Sequence, residues 1–270
     1  MRPLRIAAIS LLVLYAAFTA YVSLGPLLGF PTVHGHSVPW LTLIATGFAI
    51  THALTYIGWR NTFTLFALTY TVSLLFETIG VATGWIYGAY HYTEQLGPLF
   101  LGLVPYLIPF AWFMISYPSL VIAEGILGYR SAGDQWHSLR VAVLAAVVMT
   151  AWDLVLDPIM VKMGHWVWEV EGAYFGVPLH NYLGWLSTTF SIFILYKWIA
   201  GRQAHTRREA SDHSFLMLAS GSYASTVAGN TLAALQMGLI GPALIGLLGA
   251  GAFALLSLFN LGFGRSTKSD

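Results

Sequence analysis

The chain is a succession of long apolar runs separated by short polar segments. Eight of the runs have the length of about 20 residues that a helix needs to cross a bilayer. They fall near residues 5–25, 40–59, 62–83, 99–122, 139–158, 182–200, 214–237 and 241–261. This pattern predicts an all-α polytopic membrane protein with about eight transmembrane helices. No soluble domain interrupts it, so residues 1–270 are predicted to form a single transmembrane domain.

Composition supports the same class of protein. Hydrophobic residues make up 57% of the chain and charged residues 9%, whereas soluble domains carry about 25% charged residues. The net charge of +1 provides no basic field for nucleic acid, so no such partner is predicted. The chain has no cysteine, which excludes disulfides, thiolate metal sites and cysteine nucleophiles.

The distribution of basic residues predicts the orientation in the membrane. If the N-terminus lies inside, all of the 12 Lys and Arg residues except Lys162 fall on inner segments. The positive-inside rule then places both termini in the cytoplasm. It also places two short aromatic loops, residues 84–98 and 162–181, outside. We therefore expect a multi-pass protein of the cell membrane.

Three acidic residues lie inside the predicted spans. Glu77 falls in the outer half of the third helix, and Asp153 and Asp157 fall in the outer half of the fifth. The two aspartates are four residues apart and share a helix face. A charged side chain at the centre of a bilayer costs roughly 2.5–3.5 kcal/mol on insertion scales. Acids in this position therefore indicate function, and we predict that these three are catalytic.

Local patterns give further expectations. The alternation in "HWVWEVEG" (165–172) predicts a hairpin that turns near Gly172. Three prolines in the fourth run, Pro105, Pro109 and Pro118, predict helix kinks that open space between helices. His52 is a single histidine in the second run and is interpreted as a packed or hydrogen-bonded core residue.

Acid–base chemistry on an apolar substrate suits these residues. Desolvation keeps a carboxyl group in an apolar pocket protonated, so that it can act as a general acid. Protonation of an isoprenoid double bond creates a tertiary carbocation, which aromatic faces stabilise. A second carboxylate can deprotonate the water that captures the cation. Because Asp153 and Glu77 lie deeper, we expect one of them to be the proton donor and Asp157 to lie nearer the water. No cofactor or metal is required.

Other chemistries fit less well. Metal-dependent desaturation needs clustered histidines, and the nine histidines of this chain are scattered. The "DLVLD" segment (153–157) could bind a diphosphate through Mg²⁺ for prenyl transfer, but there is no second Asp-rich motif. A non-enzymatic proton-coupled transporter stays open as an alternative, because intramembrane carboxylates also relay protons.

Three segments resemble a known family. These are "FETIGVATGWIYGAYHYT" (76–93), "WDLVLDPIMVKMGHWVWE" (152–169) and "YFGVPLHNYLGW" (174–185), and they resemble the membrane carotenoid hydratases of the CruF type. The resemblance implies a cofactor-independent hydro-lyase that adds water to the terminal 1,2 double bond of an acyclic carotenoid ψ-end. The implied substrates are γ-carotene-type carotenoids or bacterioruberin precursors within the bilayer, and other carotenoid-pathway enzymes are candidate partners.

The resemblance carries over the three acids and suggests a set of pocket residues. The candidate substrate-binding residues are Tyr87, Tyr90, His91, Trp166, Trp168, His180 and Asn181. An intramembrane lycopene cyclase stays open as a second enzyme, since its first step is the same protonation. It differs in that the substrate's own double bond, in place of water, captures the cation.

Reporter fusions test the predicted orientation. Fusions after Gly97 and after Gly172 should both report an external location, because eleven of the twelve basic residues then lie inside. Cytoplasmic signals at both positions would contradict the orientation and place the acids at the inner face of the membrane.

Overall fold

The computed structural model describes residues 2–30, 37–128, 134–202 and 212–263. These ranges contain eight α-helices, which confirms the predicted all-α polytopic architecture. The helices are α1 (Arg2–Leu24), α2 (Ser37–Tyr56), α3 (Gly58–Thr83), α4 (Ile108–Leu127), α5 (Gln135–Lys162), α6 (Leu179–Arg202), α7 (His213–Gln236) and α8 (Ile240–Phe263). All except α7 are both long enough and apolar enough to cross a membrane.

Helix α4 is the centre of the bundle. It contacts α2, α3, α5, α7 and α8, and the other seven helices close a ring around it in the order α1, α2, α3, α6, α5, α8, α7. Its sequence, "IPFAWFMISYPSLVIAEGIL", is apolar on every face, and most of its residues are buried. A helix of this kind is stable only when it is surrounded on all sides.

Helix α7 is more polar than its neighbours, and its small polar residues face other helices. The Ser220 hydroxyl lies 2.9 Å from that of Ser257 in α8. The Tyr223 hydroxyl donates to the Val148 carbonyl in α5 at 2.6 Å. Small residues and interhelical hydrogen bonds of this type hold membrane helices together.

Polar contacts also fix the half of the bundle away from the acids. The interpretation of His52 as a core residue is confirmed, because it is fully buried. Its Nδ1 lies 2.6 Å from the Tyr117 hydroxyl and its Nε2 lies 2.7 Å from the Phe215 carbonyl. Glu124 of α4 and Lys197 of α6 form a partly buried ion pair. These contacts connect α4 to α2 and α6, and α2 to α7.

The loops at the end of the bundle nearest the three acids pair with each other. Strand β1 (Tyr90–Tyr92) pairs antiparallel with β4 (Trp166–Trp168). The predicted hairpin was therefore wrong about the partner of residues 166–168. They pair with β1, in the loop after α3, with His91 opposite Val167. A turn does follow Gly172, with bridges from Gly172 to Gly176 and from Tyr174 to Val177.

The fourth helix begins later than predicted. Residues 99–105 form a hairpin of β2 (Leu99–Phe100) and β3 (Val104–Pro105). Leu101 and Gly102, both at positive φ, reverse the chain. Only Pro118 lies well inside α4, since Pro109 occupies its first turn, where the missing N–H leaves no bond unmade.

The fifth helix ends later than predicted. The sequence placed its end at Pro158, but α5 continues to Lys162. A proline inside a helix leaves the carbonyl four residues earlier without its usual donor. That carbonyl belongs to Leu154, and the Tyr174 hydroxyl donates to it at 2.9 Å. The loop after α5 thus compensates for the proline, and Asp157 lies within the helix.

Two glycines clamp the ring of Tyr87 between α3 and α6. A Cβ added to Gly80 would lie 2.5 Å from Tyr87 Cδ2. One added to Gly184 would lie 2.4 Å from Tyr87 Cδ1 and 2.3 Å from the carbonyl oxygen of the neighbouring Ile86. The Tyr87 hydroxyl lies 2.9 Å from that of Thr188. Tyr87 is 1% exposed, so the ring has no room to move aside.

Adding a methyl group at either glycine should therefore destabilise the protein. We expect Gly80→Ala and Gly184→Ala each to cost about 1–3 kcal/mol, as overpacking does, and to lower the thermal unfolding midpoint in detergent. Gly249→Ala in α8 is the matched control, because nothing lies within 4 Å of its added Cβ. Equal midpoints for all three variants would show that Tyr87 is not clamped.

Candidate active site

A cavity opens between the helices in the half of the bundle that contains the three acids. Residues of α1 to α7 line it, together with residues of the two aromatic loops. Its volume is about 180 Å³. At one end the wall carries acids, amides and aromatic rings, and this end is the candidate active site.

Glu77 is the acid that α3 contributes to the cavity wall. It is 3% exposed and accepts three hydrogen bonds. The Tyr90 and Tyr92 hydroxyls both donate to its Oε2, the latter at 2.9 Å, and Trp112 Nε1 donates to its Oε1 at 3.1 Å. Strand β1 and the central helix α4 thus hold this carboxyl in one orientation.

The two tyrosines are neutral donors at physiological pH. Burial raises the pKa of Tyr90 and of Tyr92 well above the usual value, and the nearby Glu77 carboxyl raises each pKa further. Both hydroxyls therefore keep their protons and stay available to the Glu77 carboxyl.

Asp153 and Asp157 are joined by a single amide. Asn181 Nδ2 donates to Asp153 Oδ2 at 3.1 Å and to Asp157 Oδ2 at 2.6 Å. An amide nitrogen carries two hydrogens, so each aspartate receives one of them. Trp166 Nε1 donates to the other oxygen of Asp157 at 2.6 Å.

The two aspartates differ in their access to the cavity. Asp157 lines the cavity, whereas Asp153 does not. Asp153 is 0% exposed, and its Oδ1 has no hydrogen-bond partner within the protein. Asp153 thus stands behind Asp157 and reaches the cavity only through its neighbour or Asn181.

Aromatic rings form the rest of this wall. Trp112 and Trp185 stack with centroids 4.3 Å apart, and Trp152 meets Trp185 edge-on at 6.1 Å. In the part of the wall formed by the two loops, the Tyr90 and Trp168 ring centroids are 4.9 Å apart. All five rings line the cavity, and ring faces attract cations.

The structure brings most of the predicted pocket residues to the cavity. Tyr87, Tyr90, Trp166, Trp168 and Asn181 line it, as do Glu77 and Asp157.

His91 and His180 do not line the cavity, and their prediction as pocket residues requires correction. His91 lies between Tyr90 and Tyr92 in β1, and successive side chains of a strand face opposite sides. It therefore points outward, where its Nδ1 lies 2.6 Å from Glu169 Oε1. His180 is exposed in the first turn of α6, one residue before Asn181 turns inward.

Several residues of the site were missed by the sequence analysis. Tyr92 could have been found, because it shares the face of Tyr90 in an alternating segment. Trp112 and Trp185 carry no such signal, since they reach the site only through the packing of α4 and α6 around α3. Among the described residues no group of three or more His, Asp or Glu side chains could hold a metal; His34 and His36 lie outside those residues.

Comparison with known proteins gives the family. A family described as "Carotenoid biosynthesis protein" matches residues 38–252. The chain belongs to this family. The matched region contains all three acids, both paired loops and the central helix, so the family assignment covers the whole candidate site.

A curated relative supports a narrower comparison. The bisanhydrobacterioruberin hydratase of Haloarcula japonica is 36% identical to this chain over 141 residues. The aligned region covers 52% of this chain and 46% of the relative, so it spans about half the length of each protein. No solved structure matches.

The bridging amide makes a testable prediction about stability. Asn181→Asp removes both donors and adds a third acid beside two others, so we expect a loss of about 2 kcal/mol, within the range for leaving buried charged groups unsatisfied. The measure is the thermal unfolding midpoint in detergent.

A second substitution tests the contact directly. Asp153→Asn in the same chain exchanges the acid and the amide and should recover part of the loss, because an amide again faces a carboxyl group. Strictly additive effects of the two substitutions would contradict the contact between these side chains.

Proposed function

We propose that this protein is a carotenoid 1,2-hydratase that adds water to the terminal double bond of an acyclic ψ-end by acid catalysis. The observation that carries the proposal is the pair of carboxyl groups, Glu77 and Asp157, that face one aromatic cavity from different helices. Hydration of an alkene needs a group that gives a proton and a group that takes one. The name of the curated relative supports the same reaction.

The hydrogen bonds indicate which acid holds the proton. Glu77 accepts bonds from three donors, and donors of this kind favour the ionised form of a carboxyl group. Asp153 and Asp157 share one amide nitrogen. Two ionised carboxylates so close in a buried site would repel each other strongly, so we place one proton on the pair.

This assignment refines the expectation from the sequence. Asp153 was a candidate proton donor, but it does not line the cavity. In the proposed mechanism the shared proton reaches the substrate through Asp157. Glu77, not Asp157, takes the proton from the water as the base, and Asp153 stabilises the protonated form of the pair.

The reaction then runs in two steps. Asp157 gives its proton to C2, the inner carbon of the terminal double bond, and the π electrons leave a tertiary cation at C1, which bears the two methyl groups. The faces of Trp112, Trp185 and Tyr90 and the Glu77 carboxylate stabilise that cation. Water attacks it through an oxygen lone pair and gives its extra proton to Glu77. The sum is alkene plus water giving a tertiary alcohol. The proton on Glu77 then returns to the aspartate pair before the next turnover.

The alternatives have less support. A lycopene cyclase would use the same proton donor, but it needs no base facing a water. A proton-coupled transporter needs a route across the membrane, whereas the cavity lies in one half of the bundle. The proposal also includes the setting of the reaction. We place the protein in the cell membrane, where the substrate enters from the bilayer and other carotenoid-pathway enzymes are candidate partners.

Expression in a bacterium that makes lycopene or γ-carotene tests the activity. We expect pigments whose mass has increased by one water per ψ-end. A mass-neutral product with a shortened chromophore would instead show cyclisation, and unchanged pigments would contradict both enzyme assignments.

Amide substitutions test the residues. Asp157→Asn and Glu77→Gln keep the shape of each side chain but remove the acid, so each should lower hydration by about 10²-fold or more, the typical contribution of a general acid or base. The measure is the amount of hydrated pigment per amount of protein in the membrane. Glu94→Gln, at an exposed loop position, is the control.

Near-normal hydration by both Asp157→Asn and Glu77→Gln, at normal protein levels, would contradict the catalytic assignment. Loss of the protein from the membrane in both variants would instead indicate that the acids only connect helices α3, α5 and α6.

A further inference from the structure

The cavity continues beyond the acids into a second region between α1, α2 and α7. This hydroxyl arm is defined by six polar residues, Thr19, Ser23, Ser37, Thr42, Thr226 and Asn230, all of which line the cavity. Residues at spacings of four lie on one face of a helix. The pairs Thr19–Ser23 and Thr226–Asn230 thus form two facing polar stripes within spans that are otherwise apolar.

Some of these groups are satisfied within the protein. The Thr226 hydroxyl donates to the Ser222 carbonyl at 2.9 Å and lies 2.7 Å from the Tyr15 hydroxyl, which donates to it. The Ser23 hydroxyl is 3.5 Å from the Gly229 carbonyl. These contacts join α1 to α7 beside the arm.

Two groups in the arm are not satisfied within the protein. Thr19 is 9% exposed, and its Oγ1 makes no hydrogen bond of normal geometry, although the Tyr15 hydroxyl is a polar neighbour. The buried Nδ2 of Asn230 has no hydrogen-bond partner within the protein. A buried polar group without a partner costs about 1–3 kcal/mol. Two such groups on adjacent helices that line one cavity indicate a ligand that can both donate and accept.

We propose that the hydroxyl arm binds water and supplies the water molecule that captures the cation. The proposal rests on the hydratase function proposed above. A polyene cannot satisfy a hydroxyl or an amide, whereas a buried water makes about three hydrogen bonds to such groups. The cavity wall also contains the apolar side chains Leu41, Ile108, Met114, Leu156 and Met160, which suit the hydrocarbon chain.

The arm explains how a dry site can favour hydration. Once the cation has formed, it either bonds to a water oxygen or returns a proton to a carboxylate and becomes an alkene again. Water held in the arm favours the first outcome. Without that water, the same protonation should occur and the second outcome should become more frequent.

Isosteric substitutions in the arm separate these outcomes. The substrate is an acyclic hydrocarbon carotenoid without oxygen, supplied to the membrane-bound protein in D₂O. In wild-type protein, the hydrated product should carry one deuterium on carbon. In Thr19→Val and Asn230→Leu, hydration should fall about five-fold, the size of one or two weak hydrogen bonds, while deuterium in recovered, unhydrated carotenoid rises.

Thr231→Val is the matched control for this experiment. Thr231 is also buried in α7 and its Oγ1 also lacks a partner, but it does not line the cavity. It should hydrate as wild type does. Equal losses in Thr231→Val and Thr19→Val, or normal hydration by both arm variants, would overturn the water-binding role.

Two further results separate this proposal from others. An effect of Thr19→Val that appears only with a hydroxylated carotenoid would mean that the arm binds a substrate hydroxyl, which overturns its role in supplying water. Absence of both hydration and carbon-bound deuterium with wild-type protein would overturn the proposed hydratase function itself, and the role of the arm with it.

Discussion

Three carboxyl groups buried among membrane helices are the constraint on which the rest of the structure depends. A charge in a bilayer is tolerated only where protein groups replace water around it, and each acid here receives such groups. Glu77 receives two tyrosine hydroxyls and an indole N–H. Asp157 receives an indole and an amide, and Asp153 receives the same amide.

The two paired loops position these hydrogen-bond donors. Pairing of β1 with β4 places Tyr90 and Tyr92 opposite Trp168 and Trp166, so that one face of the small sheet presents two donors to Glu77 and one to Asp157. The start of α6 then brings in Asn181. The sheet thus connects two acids that lie on different helices, and the extension of α5 past Pro158 keeps Asp157 at a fixed depth beside it.

Helix number and the acids could be predicted from the sequence because apolar length and intramembrane charge are local signals. The face of β1 that points inward was not predicted, so His91 was grouped with its neighbours although it points outward. The pairing of residues 90–92 with 166–168 is a long-range contact, and the alternation in "HWVWEVEG" fits a partner on either side. Trp112 and Trp185 required the packing of α4 at the centre of the ring. The sequence also does not show which aspartate lines the cavity, since Asp153 and Asp157 share a helix face and only Asp157 reaches it.

The central claim is that a water molecule adds to a cation made by these acids, and the source of the product oxygen tests it most directly. Purified protein in lipid vesicles would receive an acyclic carotenoid in H₂¹⁸O under ordinary oxygen, and in a parallel sample in ordinary water under ¹⁸O₂. We predict that every new alcohol carries ¹⁸O in the first sample and none in the second, with no change in rate when oxygen is removed. Label from ¹⁸O₂, or a product without new oxygen in either sample, would contradict hydration at this site.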